Sequence, residues 1–151
     1  MKSEPWRDSI ASVGVILSLL FVGYQVHQST QVARGQTRQD LAALNQEWLV
    51  LQSQDAQYNE IWRKAWGNDS TTSMSASEES RADWMMRLNL RRLENVFFQY
   101  SEGLVDESAL HSYGLQRTRA YQSTSFKNYW HRVRGSFDPD FVKFFELQMG
   151  I

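Results

Sequence analysis

The sequence contains no cysteine and only two prolines in 151 residues. Without thiols it forms no disulfide, no thiolate metal site and no cysteine nucleophile. Two prolines and eight glycines leave few places to turn, so the elements between turns must be long. No stretch alternates apolar and polar residues long enough to read as a strand, and no repeat recurs at solenoid spacing. Catalytic signatures are missing too: there is no Gly-rich phosphate loop, H-E-x-x-H, G-x-S-x-G or EF-hand loop. Di-metal bundles need two Glu-x-x-His motifs, and this chain has none. Glu107 and His111, four apart, read as a surface pair on a helix, and His27, His111 and His131 are scattered. These absences point away from an enzyme and call for no cofactor or metal. A net charge of −1 gives no bulk reason to expect a nucleic-acid partner.

One long uncharged run is present, SIASVGVILSLLFVGYQV at residues 9–26. Charges stop at Asp8 and resume at Arg34. As a helix the run is about 27 Å long at 1.5 Å per residue, against a hydrocarbon core of about 30 Å. Trp6 and Tyr24 flank it, where aromatic rings favour membrane interfaces. A cleavable signal peptide needs a basic start and a small-x-small site. Here Lys2 and Arg7 are mixed with Glu4 and Asp8, and no such site follows Tyr24. A helix buried all round in a soluble core is the other alternative. The run is expected to be a transmembrane anchor after a tail at 1–8. Gly14 and Ser18 form a small-xxx-small pair, the candidate helix-helix contact within the membrane.

Past the anchor, about 125 residues suit one domain. Leu41, Leu44, Trp48, Leu51, Asp55, Tyr58, Trp62 and Ala65 step by three and four, a coiled-coil-like stripe with one polar interruption. The spacing predicts one helix running from the anchor to about Trp66, with Gly35 its weakest point. Residues 67–77 read as a loop. Ser75 and Glu78 fit a capping box that opens a helix over 76–102, closed by Gly103. Asp106 is placed to cap a helix over 107–122, weakened by Gly114, and Ser123 or Ser125 to cap the next. Asp138 followed by Pro139 starts the last helix. The expected fold is all-α: a transmembrane helix continuing into the first helix of a four- to five-helix domain at 27–151.

Two polar features stand out. Arg91, Arg92, Glu94, Asn95 and Gln99 interleave with the apolar seam Leu90, Leu93 and Phe97. So many polar groups beside a core face form either a buried network that fixes register or the lining of a small-molecule pocket. Residues 108–137 hold Arg117, Arg119, Lys127, Arg132 and Arg134 with no acidic residue, whereas residues 39–86 are mostly acidic. Either the two regions face each other, or the five basic residues meet anionic lipid headgroups.

Three segments carry a family resemblance. Residues 23–39 (GYQVHQSTQVARGQTRQ) are similar to an I-R-Q-N-T-x-x-x-R pattern, matched by Val26, His27, Gln28, Ser29, Thr30 and Arg34. Residues 91–107 (RRLENVFFQYSEGLVDE) and 130–146 (WHRVRGSFDPDFVKFFE) complete it. The chain resembles a family of small bacterial single-pass membrane proteins to which no activity is assigned. That resemblance implies a membrane-anchored helical domain, and His27 departs from the usual Arg. Lys2 and Arg7 on one side nearly balance Arg34 and Arg38 on the other; the resemblance favours a domain on the cytoplasmic face of the inner membrane. The expected role is a structural or protein-interaction module, with the lipid bilayer and a second copy or another membrane protein as partners. The alternative is a membrane-tethered small-molecule sensor.

Overall fold

The structure is a computed structural model; it describes residues 5–67, 73–113, 115 and 119–151, with the side chains of 5–11 and 119 outside the description. The described residues are all-α. Seven helices follow one another: α1 (Pro5–Gln54), α2 (Ala56–Trp66), α3 (Ala76–Ser101), α4 (Glu107–Ser112), α5 (Arg119–Gln122), α6 (Thr124–Val133) and α7 (Pro139–Met149). A single 3-10 turn, Arg134–Ser136, joins the last two.

The helix α1 is 50 residues long, about 75 Å at 1.5 Å per residue. Gly35 lies within it without a break. Among the described residues, no helix is long and apolar enough to cross a membrane. The run expected to do so opens at Ser9, three residues before the first described side chain, Ser12. An eighteen-residue run from Ser12 takes in Gln25, His27, Gln28 and Ser29, whose polar groups lower its hydropathy.

The first helix does not reach Trp66. Asp55, expected to be a polar interruption, is the N-cap of α2: its carboxylate accepts from the Tyr58 N–H at 2.9 Å and from Arg81 Nη2 at 2.7 Å. A side chain that bonds its own backbone competes with helix continuation, so Asp55 ends one helix and begins the next. The face that α1 turns to the domain also differs from the expected stripe. Thr37, Leu41, Asn45, Trp48 and Gln52 are the residues drawn in, while Leu44 and Leu51 stay 47% and 49% exposed.

The capping box at the start of α3 is complete, with the Ser75 hydroxyl and the Glu78 carboxylate each taking the other's N–H. Gly103 takes a left-handed φ of 69° just past the end of the helix, a conformation that costs glycine little. The Ser75 backbone N–H, then Lys64 and the Ser75 hydroxyl, pull the Glu78 pKa down from about 4.5 to about 2. A depressed carboxylate pKa adds stability that is complete above the ordinary value and lost as pH falls through the folded one. Glu78→Gln should therefore flatten the melting temperature against pH between about 4.5 and 2. Parallel profiles for wild type and variant, followed by circular dichroism, would remove the box from that window.

The helix expected over 107–122 is two short ones. The first stops at Ser112, with Tyr113 as its C-cap, and the second resumes at Arg119; Gly114 lies outside the described residues. Asp106 stands at the N-cap but makes no capping bond. Its carboxylate instead accepts from Ser108 and from Arg38 of α1. Ser123 caps α6 through the Phe126 N–H. Asp138 caps α7 with Pro139 in its first turn.

The core lies where α2, α3, α6 and α7 meet. Ile61, Met86, Leu90, Leu93, Phe126, Phe141, Phe145 and Met149 are at most 1% exposed. The Trp130 ring lies tilted against Phe145, centroids 4.9 Å apart, and donates its indole N–H to Glu146 at 2.9 Å, so a large ring is buried without losing its polar bond.

Candidate functional site

The polar cluster expected on α3 divides between two sides of that helix. On one side, Glu94 is buried and accepts from Arg91 Nη1 at 2.6 Å and from the Asp138 N–H at 2.8 Å. Arg91 also donates to the Ser136 carbonyl and lies 4.4 Å over the Phe137 ring. This half is a clamp between α3 and the start of α7. Asn95 and Gln99 are half-buried, and among the described residues their side chains bond to neither half.

On the other side stands Arg92. Its Nη1 donates to Asn45 Oδ1 of α1 at 2.8 Å, its Nη2 donates to Asn89 Oδ1 at 3.1 Å, and its guanidinium lies 4.4 Å over the Trp48 ring. Asn89 is buried and passes the chain on, donating from Nδ2 to the Tyr121 hydroxyl at 2.8 Å. Burial pushes the Tyr121 pKa up to about 12, so the phenol stays neutral. Burial also pushes the Arg92 pKa down from the usual arginine value; arginine still keeps its proton. Both bonded acceptors are neutral amides, and among the described residues no carboxylate pairs with this guanidinium.

Beside Arg92 runs a groove of about 560 Å³ between α1, α2, α3 and the α4–α5 region. Trp48, Trp62, Trp66 and Tyr113 make its aromatic walls. Two buried donors at the groove, Arg92 Nε and Trp66 Nε1, have no hydrogen-bond partner among the described residues. The buried Tyr58 hydroxyl, behind Trp62, is likewise unbonded; Gln52 and Trp48 lie near it without completing a bond of good geometry. No protein-family model matches this chain, and neither a curated protein nor a solved structure matches it.

The other expected sites are dispersed. Arg132 pairs with Asp83 at 2.9 Å, the one bridge between the basic and acidic regions among the described residues, and Arg134 pairs with Glu146 at 2.9 Å. Lys127 is exposed on α6; Arg117 lies outside the described residues, as does the Arg119 side chain. The Ser18 hydroxyl donates to the Gly14 carbonyl at 2.8 Å, which satisfies it within its own helix. Among the described residues no three metal-binding side chains cluster. Asn45, Asn89, Trp66 and Tyr121 were not singled out in the sequence. A usable signal existed for Asn89 alone, three residues before Arg92 and on the same helix face.

Proposed function

We propose that this chain is a membrane-anchored helical interaction module, belonging with the bacterial single-pass proteins its motifs resemble. The observation that carries the reading is the amino-terminal half of α1. Every large apolar side chain from Val13 to Val26 keeps between 52% and 66% of its surface exposed. A helix that is apolar all round needs apolar surroundings, and nothing among the described residues covers it. With Ser9, Ile10 and Ala11, which belong to the same helix, the sleeve is eighteen uncharged residues and close to the length a bilayer core requires. In this reading the domain stands on the cytoplasmic side of the inner membrane. Copies associate through the Gly14 and Ser18 face and through Leu44 and Leu51, a heptad apart and exposed. Arg132 and Arg134, each already paired, give headgroup contact less weight.

Extraction of membranes with alkaline carbonate tests the anchor. The full chain should stay in the pellet, and the double variant Leu17→Arg, Phe21→Arg should move to the supernatant. Each such charge costs about 2.5–3.5 kcal/mol at the centre of a span. Wild-type chain in the carbonate supernatant would overturn the reading. The pelleted chain, solubilised in nonionic detergent, should sediment as an oligomer that Leu44→Glu with Leu51→Glu weakens.

A further inference from the structure

The groove beside Arg92 has an unusual balance of donors and acceptors. A guanidinium offers five N–H donors and no acceptor. Two of the five are used, on Asn45 and Asn89, and Nε is buried with no partner among the described residues. Trp66 adds another buried donor, its indole N–H, which can only donate. Buried polar atoms are rarely left without partners, and a partly buried charge is usually met by its opposite. Here the unmet groups are donors, one carries a positive charge, and the residues that bear them line a concave, mostly apolar surface. What is missing is an acceptor with negative charge attached to an apolar body.

We propose that this groove binds a small organic monoanion, a carboxylate on an aromatic or aliphatic body, with Arg92 as its counter-ion. The carboxylate takes the guanidinium N–H groups that the two asparagines leave free on Nη1 and Nη2, with Trp48 against the face of the group. A fixed guanidinium suits planar, two-oxygen recognition. The apolar body rests on Trp48, Trp62 and Trp66. Arg63 also lines the groove but is exposed to water, so Arg92 is its one half-buried cation; a single such charge favours a monoanion, because the second charge of a phosphate would be desolvated against mostly apolar walls. The groove volume, about 560 Å³, lies in the range of small-molecule sites. Asn45 is about 19 residues past the anchor, roughly 28 Å along the helix, so the ligand comes from solution rather than from the headgroup layer. The site does not depend on the proposed self-association.

Titration of the full chain in dodecyl maltoside micelles, at fixed ionic strength, tests this. The probes are phenylacetate, its uncharged amide phenylacetamide, and inorganic phosphate; the readout is the indole N–H resonances of the six tryptophans. Phenylacetate should bind with a dissociation constant below about 1 mM and shift the Trp66 and Trp48 signals, with phenylacetamide and phosphate each at least about tenfold weaker. Arg92→Gln should weaken phenylacetate at least about tenfold. Asn45→Asp keeps the size of the side chain and gives Arg92 a carboxylate of its own. It should abolish phenylacetate binding while the domain stays folded, so it decides the matter if Arg92→Gln does not fold. No phenylacetate binding up to about 10 mM, equal binding of the amide or of phosphate, or undiminished binding to Asn45→Asp would each overturn the proposal.

Discussion

Phe145→Ala is expected to destabilise the domain by about 3–5 kcal/mol, the usual cost of deleting a fully buried aromatic ring. Phe145 has no exposed surface. Its ring centroid lies 4.9 Å from Trp130, 5.5 Å from Tyr121, 5.6 Å from Phe141 and 6.1 Å from Phe126. Those four rings come from α5, α6 and α7, so the cavity left by alanine opens at the junction of three helices that cannot all collapse into it. With total stability of domains near 5–15 kcal/mol, the variant loses a large share of what it has, and its melting temperature should fall by roughly 10–20 °C. Phe145→Leu, which refills most of the volume, should cost well under half as much. Urea unfolding followed by tryptophan fluorescence reports both. A loss below about 1 kcal/mol for the alanine variant would mean that the aromatic cluster is loosely packed.

The helix starts around this core were the features most readable from sequence. Ser75 with Glu78, Ser123, and Asp138 with Pro139 are each satisfied by a partner within three residues, so the signal and the structure occupy the same short window. Asp55 carried the same kind of signal, a side chain bonding the Tyr58 N–H, but its place in a regular stripe of three and four disguised a cap as an interruption. The face of α1 was out of reach for a different reason. Periodicity assigns Leu44 and Leu51 to the interior, whereas Asn45 and Gln52 are drawn in instead. Asn45 is there because it accepts from Arg92, 47 residues further along the chain, and no local pattern encodes that demand. The groove follows the same logic. Asn45, Trp48, Trp66, Asn89 and Arg92 come from three helices; Asn45 and Trp48 are neighbours on α1 and Asn89 and Arg92 on α3, but no local pattern brings the two pairs and Trp66 together. The single polar cluster on α3 therefore resolves into two devices, one that binds helices together and one that leaves donors free.

The second device can be lost without the first, and Glu94→Ala isolates the first. Glu94 stands on α3 with its side chain 8% exposed. One oxygen accepts from the Asp138 N–H, the cap residue of α7, and the other from Arg91. Arg91 is 46% exposed, so its Coulombic share is screened by water and is small. The larger part is the part-buried N–H of Asp138, which alanine would strip of its carboxylate acceptor, while removing one of the bonds that hold Arg91 over Phe137. Hydrogen bonds to charged acceptors are worth about 1.5–3 kcal/mol, which sets an expected loss of about 2–3 kcal/mol for Glu94→Ala. Glu94→Gln retains one acceptor for Asp138 but turns an N–H₂ group towards the Arg91 donors, and should lose about half as much. Hydrogen exchange gives the local readout: the amides of the first turn of α7 should lose protection before those of α2, because the clamp fixes where α7 begins. Uniform loss of protection, or a Glu94→Ala variant within about 0.5 kcal/mol of wild type, would show that packing of Phe141 and Phe145 alone holds α7 on α3.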